Sequence, residues 1–226
     1  MREGFADELA AIERDLMASL DHAANILTTV AGSLEDPTHD RAAVIAMNGR
    51  ALADAARSVH ARLTVITARQ SPVATDLRRV MAMLELSHHA ALIANQFALI
   101  SEQMAAIDPA IGDRLNADRA LSRMCALASG QLRKAAAAFA TRDLALAYEL
   151  DRDDDAVDRL NRDVFEAAAR TETAHPQREL GFRRVLLARC LERIADNAVD
   201  VAEQAAFVIT ANRQEFSDAS QPRARN

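Results

Sequence analysis

Acidic residues recur at four-residue spacing near the carboxyl end of the chain. Residues 191–203 read Leu-Glu-Arg-Ile-Ala-Asp-Asn-Ala-Val-Asp-Val-Ala-Glu. In a helix, four carboxylates of this stretch fall within an arc of about 80°; they are Glu192, Asp196, Asp200 and Glu203. Like charges four residues apart destabilise a helix by a few tenths of a kcal/mol. Two interpretations stay open: a solvated face relieved by Arg189 and Arg193, or a row of oxygen ligands for cations.

A second acidic stretch lies about 40 residues upstream, inside another helical pattern. Residues 151–158 read Asp-Arg-Asp-Asp-Asp-Ala-Val-Asp, although aspartate is a poor helix former. The helical wheel places Asp154 between Leu150 and Asn161, on the packed side of the helix. A carboxylate there is costly unless a cation or an arginine neutralises it. Two neighbouring helices of this kind can share metal ions, and all-oxygen ligation suits Mg, Ca, Mn or iron better than zinc.

Two Glu-x-x-His motifs offer an alternative chemistry, that of a di-metal carboxylate oxidoreductase. They are Glu85 to His88 and Glu172 to His175, and di-iron bundles use this spacing. That chemistry requires both motifs to face one another in the middle of a bundle, whereas His175 directly precedes Pro176 and therefore marks a helix junction. The chain contains no P-loop, dinucleotide fingerprint or nucleophile elbow.

The elements that carry these residues are predicted to be helices throughout. Aromatic residues make up 4% of the 226, with six glycines and five prolines, whereas sheet proteins need more aromatic, β-branched and turn residues. Apolar residues at three- and four-residue steps predict six long helices. Gly32-Ser33 is expected to end the first helix and Pro72 to start the third. The expected bounds are 5–31, 41–69, 72–104, 114–139, 143–170 and 177–212.

The six helices fall into two sets of three, which indicates an internal duplication. A shift of 105 residues places Ala42 on Ala147, and a shift of 101 places Asn95 on Asp196. Long helices with short connections favour bundles. We therefore predict an all-α fold of two tandem antiparallel three-helix bundles, at residues 1–108 and 109–213, followed by a disordered tail at 214–226.

Charge and hydropathy exclude several classes of function. The net charge is −6 and no basic stripe is present, so we expect no nucleic-acid partner. The amino-terminal residues include acids where a signal peptide needs an apolar core, and no 18-residue apolar stretch occurs. Cys125 and Cys190 lie within predicted helices and are expected to be buried free thiols. These features together favour a cytoplasmic protein.

Three motifs in combination resemble the PhoU family, whose members regulate high-affinity phosphate uptake. The resemblance covers about residues 1 to 212. The motifs are Arg2-x-x-Phe5-x-x-Glu8-Leu9, Arg69-Gln70-Ser71-Pro72-Val73-Ala74-Thr75-Asp76-Leu77-Arg78 and Leu191-Glu192-Arg193-Ile194-Ala195-Asp196. The family is known as two tandem three-helix bundles, in agreement with the duplication inferred above.

The resemblance implies a cytoplasmic adaptor that is not an enzyme. Such proteins repress the phosphate-starvation response through a phosphate-specific ABC transporter ATPase subunit and a sensor histidine kinase. They reach the membrane only through those partners, and many relatives form homodimers. The alternative, from another class of function, is a generic helical scaffold that binds no metal.

The resemblance also implies a metal site in each half of the chain. The second half keeps the expected carboxylates, so it is predicted to hold iron, Mn, Mg or Zn on Asp154, Asp158, Glu192, Asp196 and Asp200. The first half departs from the family pattern, with Gly49, Ala53, Ala91, Asn95 and Leu99 at the corresponding positions. We therefore expect metal in the second half at most. One hypothesis is that the replacements in the first half form a partner-binding patch.

Overall fold

A computed structural model describes residues 2–35, 39–107, 119–170, 175–213 and 216. Its six elements are all α-helices, which confirms the predicted all-α class. They are α1 (Arg2–Glu35), α2 (His39–Gln70), α3 (Ala74–Ala105), α4 (Arg119–Thr141), α5 (Leu144–Ala169) and α6 (His175–Thr210). The predicted domain boundary at residues 108–109 lies outside the described residues, as does most of the predicted tail.

The first helix continues past Gly32-Ser33, where the sequence predicted its end. The Ser33 hydroxyl donates to the carbonyl of Thr29 at 2.7 Å, and the Arg41 guanidinium donates to the carbonyl of Gly32. Leu34 is almost completely buried. Because these contacts satisfy the backbone and bury the last apolar residue, the helix extends to Glu35.

The third helix begins two residues after the predicted start at Pro72. Val73 is its extended N-cap residue, with φ −130° and ψ 160°. Ser71 closes α2 in the left-handed region at φ 44°, and its N–H donates to the carbonyl of Thr67 at 3.1 Å. Pro72 therefore belongs to the tight connection between two helices. Asp76 lies in the first turn of α3, where its negative charge interacts favourably with the positive end of the helix dipole.

The two bundles pack side by side around a continuous core. Helix α1 lies against α2 and α3 in the first bundle, while α4 and α5 lie against α6 in the second. Two helix pairs join the bundles, α1 with α4 and α3 with α6. The core is built from aliphatic side chains and two fully buried phenylalanines, Phe97 and Phe139. The apolar periodicity of each helix thus serves contacts both within and between bundles.

Buried polar contacts add specificity to the packing between bundles. Glu13 of α1 accepts from Arg79 at 2.8 Å and from Arg142 at 2.8 and 2.7 Å through both carboxylate oxygens. The Ser129 hydroxyl donates to the carbonyl of Ala24 at 3.0 Å. Charge-assisted hydrogen bonds are stronger than neutral ones, so Glu13 ties the start of α3 and the α4–α5 turn to α1.

Both cysteines are buried and free, as predicted. Burial raises the pKa of the Cys125 thiol to about 12 and that of Cys190 to about 11, so neither is reactive at neutral pH. Of the helices described, none is both long enough and apolar enough to cross a membrane.

Candidate metal centre

Three carboxylates converge where α5 packs against α6. Asp154 and Asp158, one turn apart on α5, point to the same side as Asp196 of α6, and one oxygen from each lies within 4.8 Å of the others. Asp154 and Asp158 are 9% and 5% exposed. Oxygens on opposite sides of a calcium-sized cation are about 5 Å apart. The three side chains are therefore close enough to share one cation.

Glu192 lies beside this group and is the most deeply buried of the predicted ligands. One of its oxygens accepts from Arg189. Among the described residues the other oxygen, Oε2, has no hydrogen-bond partner although it is buried. Burial raises the pKa of Glu192 to about 6, with Asp158 and Asp154 adding to the rise and Arg189 opposing it. A buried acceptor without a donor fits a position beside a cation.

Asp200, the fifth predicted ligand, occupies a different position. It lines a cavity of about 180 Å³ together with Asp154 and Asp196, but it does not belong to the close group of three. Its Oδ2 lies 3.3 Å from Nδ1 of His89, and its side chain is 44% exposed. Burial raises the pKa of Asp200, and His89 counteracts the rise. Asp200 therefore stands at the open edge of the candidate centre.

The five predicted ligands do not include all the residues that surround the cluster. Asp151, Glu203 and Phe216 also line the cavity, and the N–H of Phe216 donates to Glu203 Oε1 at 2.6 Å. The Phe216 ring packs on Tyr148 at 5.3 Å between centroids. Asp151 and Glu203 belong to the two acidic stretches, so their spacing contained the signal needed to find them.

A glutamine from α4 also contacts the cluster. The side-chain amide of Gln131 donates to Asp154 Oδ1 at 3.3 Å, and Gln131 is 2% exposed. A buried donor holds the Asp154 carboxylate in one orientation. No spacing rule connects Gln131 with Asp154, because the two residues lie on different helices.

Among the described residues, the corresponding face of the first bundle has no comparable group of carboxylates. Gly49 is buried against α3, and a Cβ at this position would lie 3.1 Å from Phe97 Cβ. Asn95 and Leu99 are exposed, and Leu99 keeps 43% of its surface. The hypothesis of an apolar partner-binding patch is therefore wrong for Gly49, which is a packing residue. A role of Leu99 in a partner-binding patch stays a prediction.

The described residues of the two Glu-x-x-His motifs do not form a site in the interior of a bundle. His88 is exposed, and Glu85, whose side chain is 45% exposed, lies 3.7 Å from the Arg213 guanidinium. Glu172 and the side chain of His175 lie outside the described residues. The described geometry gives the oxidoreductase alternative no support.

Glu192 is expected to make the metal-free protein less stable as the pH rises. Its pKa of about 6 in the folded chain exceeds the ordinary value of 4.5, so the folded state holds more protons than the unfolded state between these values. The free energy of unfolding should therefore fall by on the order of 1–2 kcal/mol between about pH 4.5 and 6. Urea unfolding in EDTA from pH 4 to 7 measures this slope.

Glu192→Gln should remove that part of the slope, whereas the exposed control Glu166→Gln should keep it. An identical pH profile for Glu192→Gln and the unsubstituted protein would show that Glu192 is not the titrating group.

Two antiparallel sets of three long helices, with buried carboxylates on one helix pair, define a duplicated helical bundle with a candidate metal centre. The family model described as PhoU domain matches residues 121–205, which lie within the second bundle. The phosphate-specific transport system accessory protein PhoU homolog 1 of Methanothermobacter thermautotrophicus is 30% identical over 168 residues, covering 74% of this chain and 76% of that protein. The chain belongs to the PhoU family.

Further relatives match nearly the whole chain. The phosphate-specific transport system accessory protein PhoU homolog of Deinococcus radiodurans is 30% identical over 217 residues, covering 90% of this chain and 99% of the relative. The crystal structure of the phosphate transport system regulatory protein PhoU from Streptococcus pneumoniae superposes with a TM-score of 0.84 at 16% identity, over 93% of this chain and 99% of that one. PhoU from Pseudomonas aeruginosa gives 0.78 at 19% identity, over 92% and 100%. These structural likenesses establish the fold.

Proposed function

We propose that this protein regulates phosphate uptake as a cytoplasmic adaptor. It lowers the phosphate-starvation response through contacts with the ATPase subunit of a phosphate ABC transporter and with a sensor histidine kinase. The observation that carries the proposal is the relationship to a phosphate-transport accessory protein at 30% identity over 99% of its length. The proposed adaptor acts by binding rather than by catalysis.

The second bundle is proposed to hold a cation between α5 and α6. Its ligands are drawn from Asp154, Asp158 and Asp196, whose oxygens lie within 4.8 Å of one another, together with Glu192 and Asp200. Iron, Mn, Mg and Zn are the candidates. The bound cation supplies positive charge to crowded carboxylates. The aspartates thereby fix the position of α5 on α6, which stiffens the half of the protein that keeps the family motif.

Exposed aromatic residues support a protein-binding role. Phe165 and Phe182 are 62% and 65% exposed and line a groove of about 340 Å³ between α5 and α6, together with Gly181. Contiguous apolar surface exposed to solvent is typical of contact surfaces, and aromatic anchors dominate the energy of such contacts. This groove lies on the same helix pair as the carboxylate cluster.

Capture by purified partners tests the proposed function. The immobilised full chain is incubated with the phosphate-transporter ATPase subunit, or with the cytoplasmic part of the sensor kinase, from the same organism. Each binding reaction is run with Mn²⁺ or EDTA, and with or without inorganic phosphate. We expect at least one partner to be retained, while the ATPase subunit of an unrelated transporter is not. Failure to retain either partner under all four conditions would favour the generic scaffold.

A further inference from the structure

His89 brings a side chain from the first bundle to the carboxylates of the second. It lies on α3, where α3 packs against α6, and its side chain is 14% exposed. Its Nδ1 lies 2.9 Å from Asn197 Oδ1 and 3.3 Å from Asp200 Oδ2. A single ring nitrogen of the first bundle thus contacts two side chains of α6.

The hydrogen bonds around His89 define which nitrogen carries the proton. Asn197 donates through Nδ2 to the carbonyl of Arg193 at 2.6 Å, so its Oδ1 is the atom that faces the histidine. Both that oxygen and the ionised Asp200 carboxylate can only accept. His89 Nδ1 must therefore carry a hydrogen, which it donates to Asn197 Oδ1, while Asp200 Oδ2 lies 3.3 Å from the same nitrogen in a charge-based contact. Asn197 is 7% exposed, which shields this part of the network from water.

We propose that His89 is a positioning residue for the metal centre of the second bundle. Its Nδ1 is held by Asn197 and lies 3.3 Å from Asp200 Oδ2, and this polar contact favours one position of Asp200 at the edge of the cavity that it shares with Asp154 and Asp196. Outer groups in polar contact with a ligating carboxylate help to orient it, and the loss of such partners commonly weakens metal binding 10- to 100-fold. The inference rests on the metal centre proposed above.

The arrangement links metal binding to the junction between the bundles. His89 belongs to the bundle that lacks the carboxylates, yet its ring contacts a predicted ligand of the bundle that keeps them. A cation that draws Asp200 into a fixed position therefore also favours the docked position of α3 on α6. The first bundle contributes to the remaining centre through this contact.

Calorimetric titration of the metal-free full chain with Mn²⁺ tests the proposal. His89→Leu removes the donor and should weaken Mn²⁺ binding about 10-fold. His89→Asn, whose amide nitrogen is placed near the position of Nδ1, should keep most of the affinity, whereas His89→Gln, which extends further, should resemble His89→Leu. The neighbouring His88 is exposed, so His88→Leu is the matched control and should bind as the unsubstituted chain does.

A double-mutant cycle separates positioning from a general effect on folding. In an Asp200→Asn background, His89→Leu should cause no further loss of Mn²⁺ affinity. An equal loss in both backgrounds would overturn the positioning role. A nitrogen NMR spectrum of the metal-free protein gives a second readout, in which His89 should show the Nδ1-protonated form; the other tautomer would contradict the proposal.

The titration distinguishes failure of the proposed metal centre from failure of the role proposed for His89. If the unsubstituted chain binds no Mn²⁺, the proposed metal centre fails, and this inference fails with it. If that chain binds Mn²⁺ and His89→Leu binds it equally well, only the role of His89 is wrong. Thermal unfolding of each variant establishes that it is folded, and the comparison of His89→Asn with His89→Gln applies even if the leucine variant does not fold.

Discussion

Asp158→Asn is expected to stabilise the protein in EDTA and to abolish its stabilisation by Mn²⁺. Asp158 is 5% exposed, and its carboxylate lies within 4.8 Å of those of Asp154 and Asp196. At that distance, in the partly shielded interior, each pair of like charges repels by an energy of order 1 kcal/mol or more. Asparagine has the same shape without the charge, so the metal-free variant should gain on the order of 1 kcal/mol in free energy of unfolding.

Added metal is expected to reverse the difference in stability between Asp158→Asn and the unsubstituted chain. A cation bound only by the folded state stabilises it by about 2.7 kcal/mol at a concentration 100 times its Kd. The unsubstituted chain should show this gain in Mn²⁺, and Asp158→Asn should show little of it because one ligand is neutral. Urea unfolding in Mn²⁺ and in EDTA measures both effects.

Asp163→Asn is the matched control for these measurements, since Asp163 lies on the same helix but is exposed. It should change neither result. Full stabilisation of Asp158→Asn by Mn²⁺ would exclude Asp158 as a ligand.

Gly49→Asp is expected to destabilise the protein rather than to rebuild a metal ligand in the first bundle. A Cβ at position 49 would lie 3.1 Å from Phe97 Cβ and 3.5 Å from the carbonyl oxygen of Ala94. Phe97 is fully buried, and its Cβ is fixed to the backbone of α3, so relief requires α2 to move away from α3. Overpacking of this kind costs about 1–3 kcal/mol.

The charge adds to the steric cost. A buried carboxylate beside a carbonyl oxygen lacks a donor, and the gain of about 1 kcal/mol from replacing glycine in a helix is smaller than these losses. We expect Gly49→Asp to lose about 3 kcal/mol or more in urea unfolding. Gly49→Ala should lose less, which separates the steric cost from the charge, and Ala53→Asp, at a partly exposed position, should also lose less. Unchanged stability of Gly49→Asp together with additional Mn²⁺ binding would contradict this account.

The helices and the core could be predicted because both follow from local periodicity. Leu9, Ile12, Leu16 and Leu20 recur at helical spacing and are completely buried. The extension of α1 past Gly32 could not be predicted, because it depends on Arg41 from the next helix. The predicted start of α3 at Pro72 is two residues too early, because Val73 is extended and α3 begins at Ala74. Local sequence signals therefore identified the helices, whereas tertiary contacts determine where the helices end.

Local spacing likewise predicted one part of the candidate site and could not predict the rest. Four-residue spacing placed Asp154 and Asp158 on one face, and α6 does supply Asp196 beside them. Spacing does not reveal His89, which meets Asn197 across 108 residues of chain, or Gln131, which meets Asp154 across 23. Gly49 resembled a lost ligand in the sequence, and the structure shows that it permits the close approach of α2 to α3. Contacts between helices decided each of these roles.

Metal is expected to bind in the second bundle and to be absent from the first. Anomalous diffraction from crystals of the full chain grown with Mn²⁺ locates the cation directly. We predict an anomalous peak between α5 and α6, within ligand distance of Asp154, Asp158 and Asp196, with none beside Gly49 and Asn95. A peak in the first bundle, or an empty α5–α6 cluster at saturating Mn²⁺, would contradict the account.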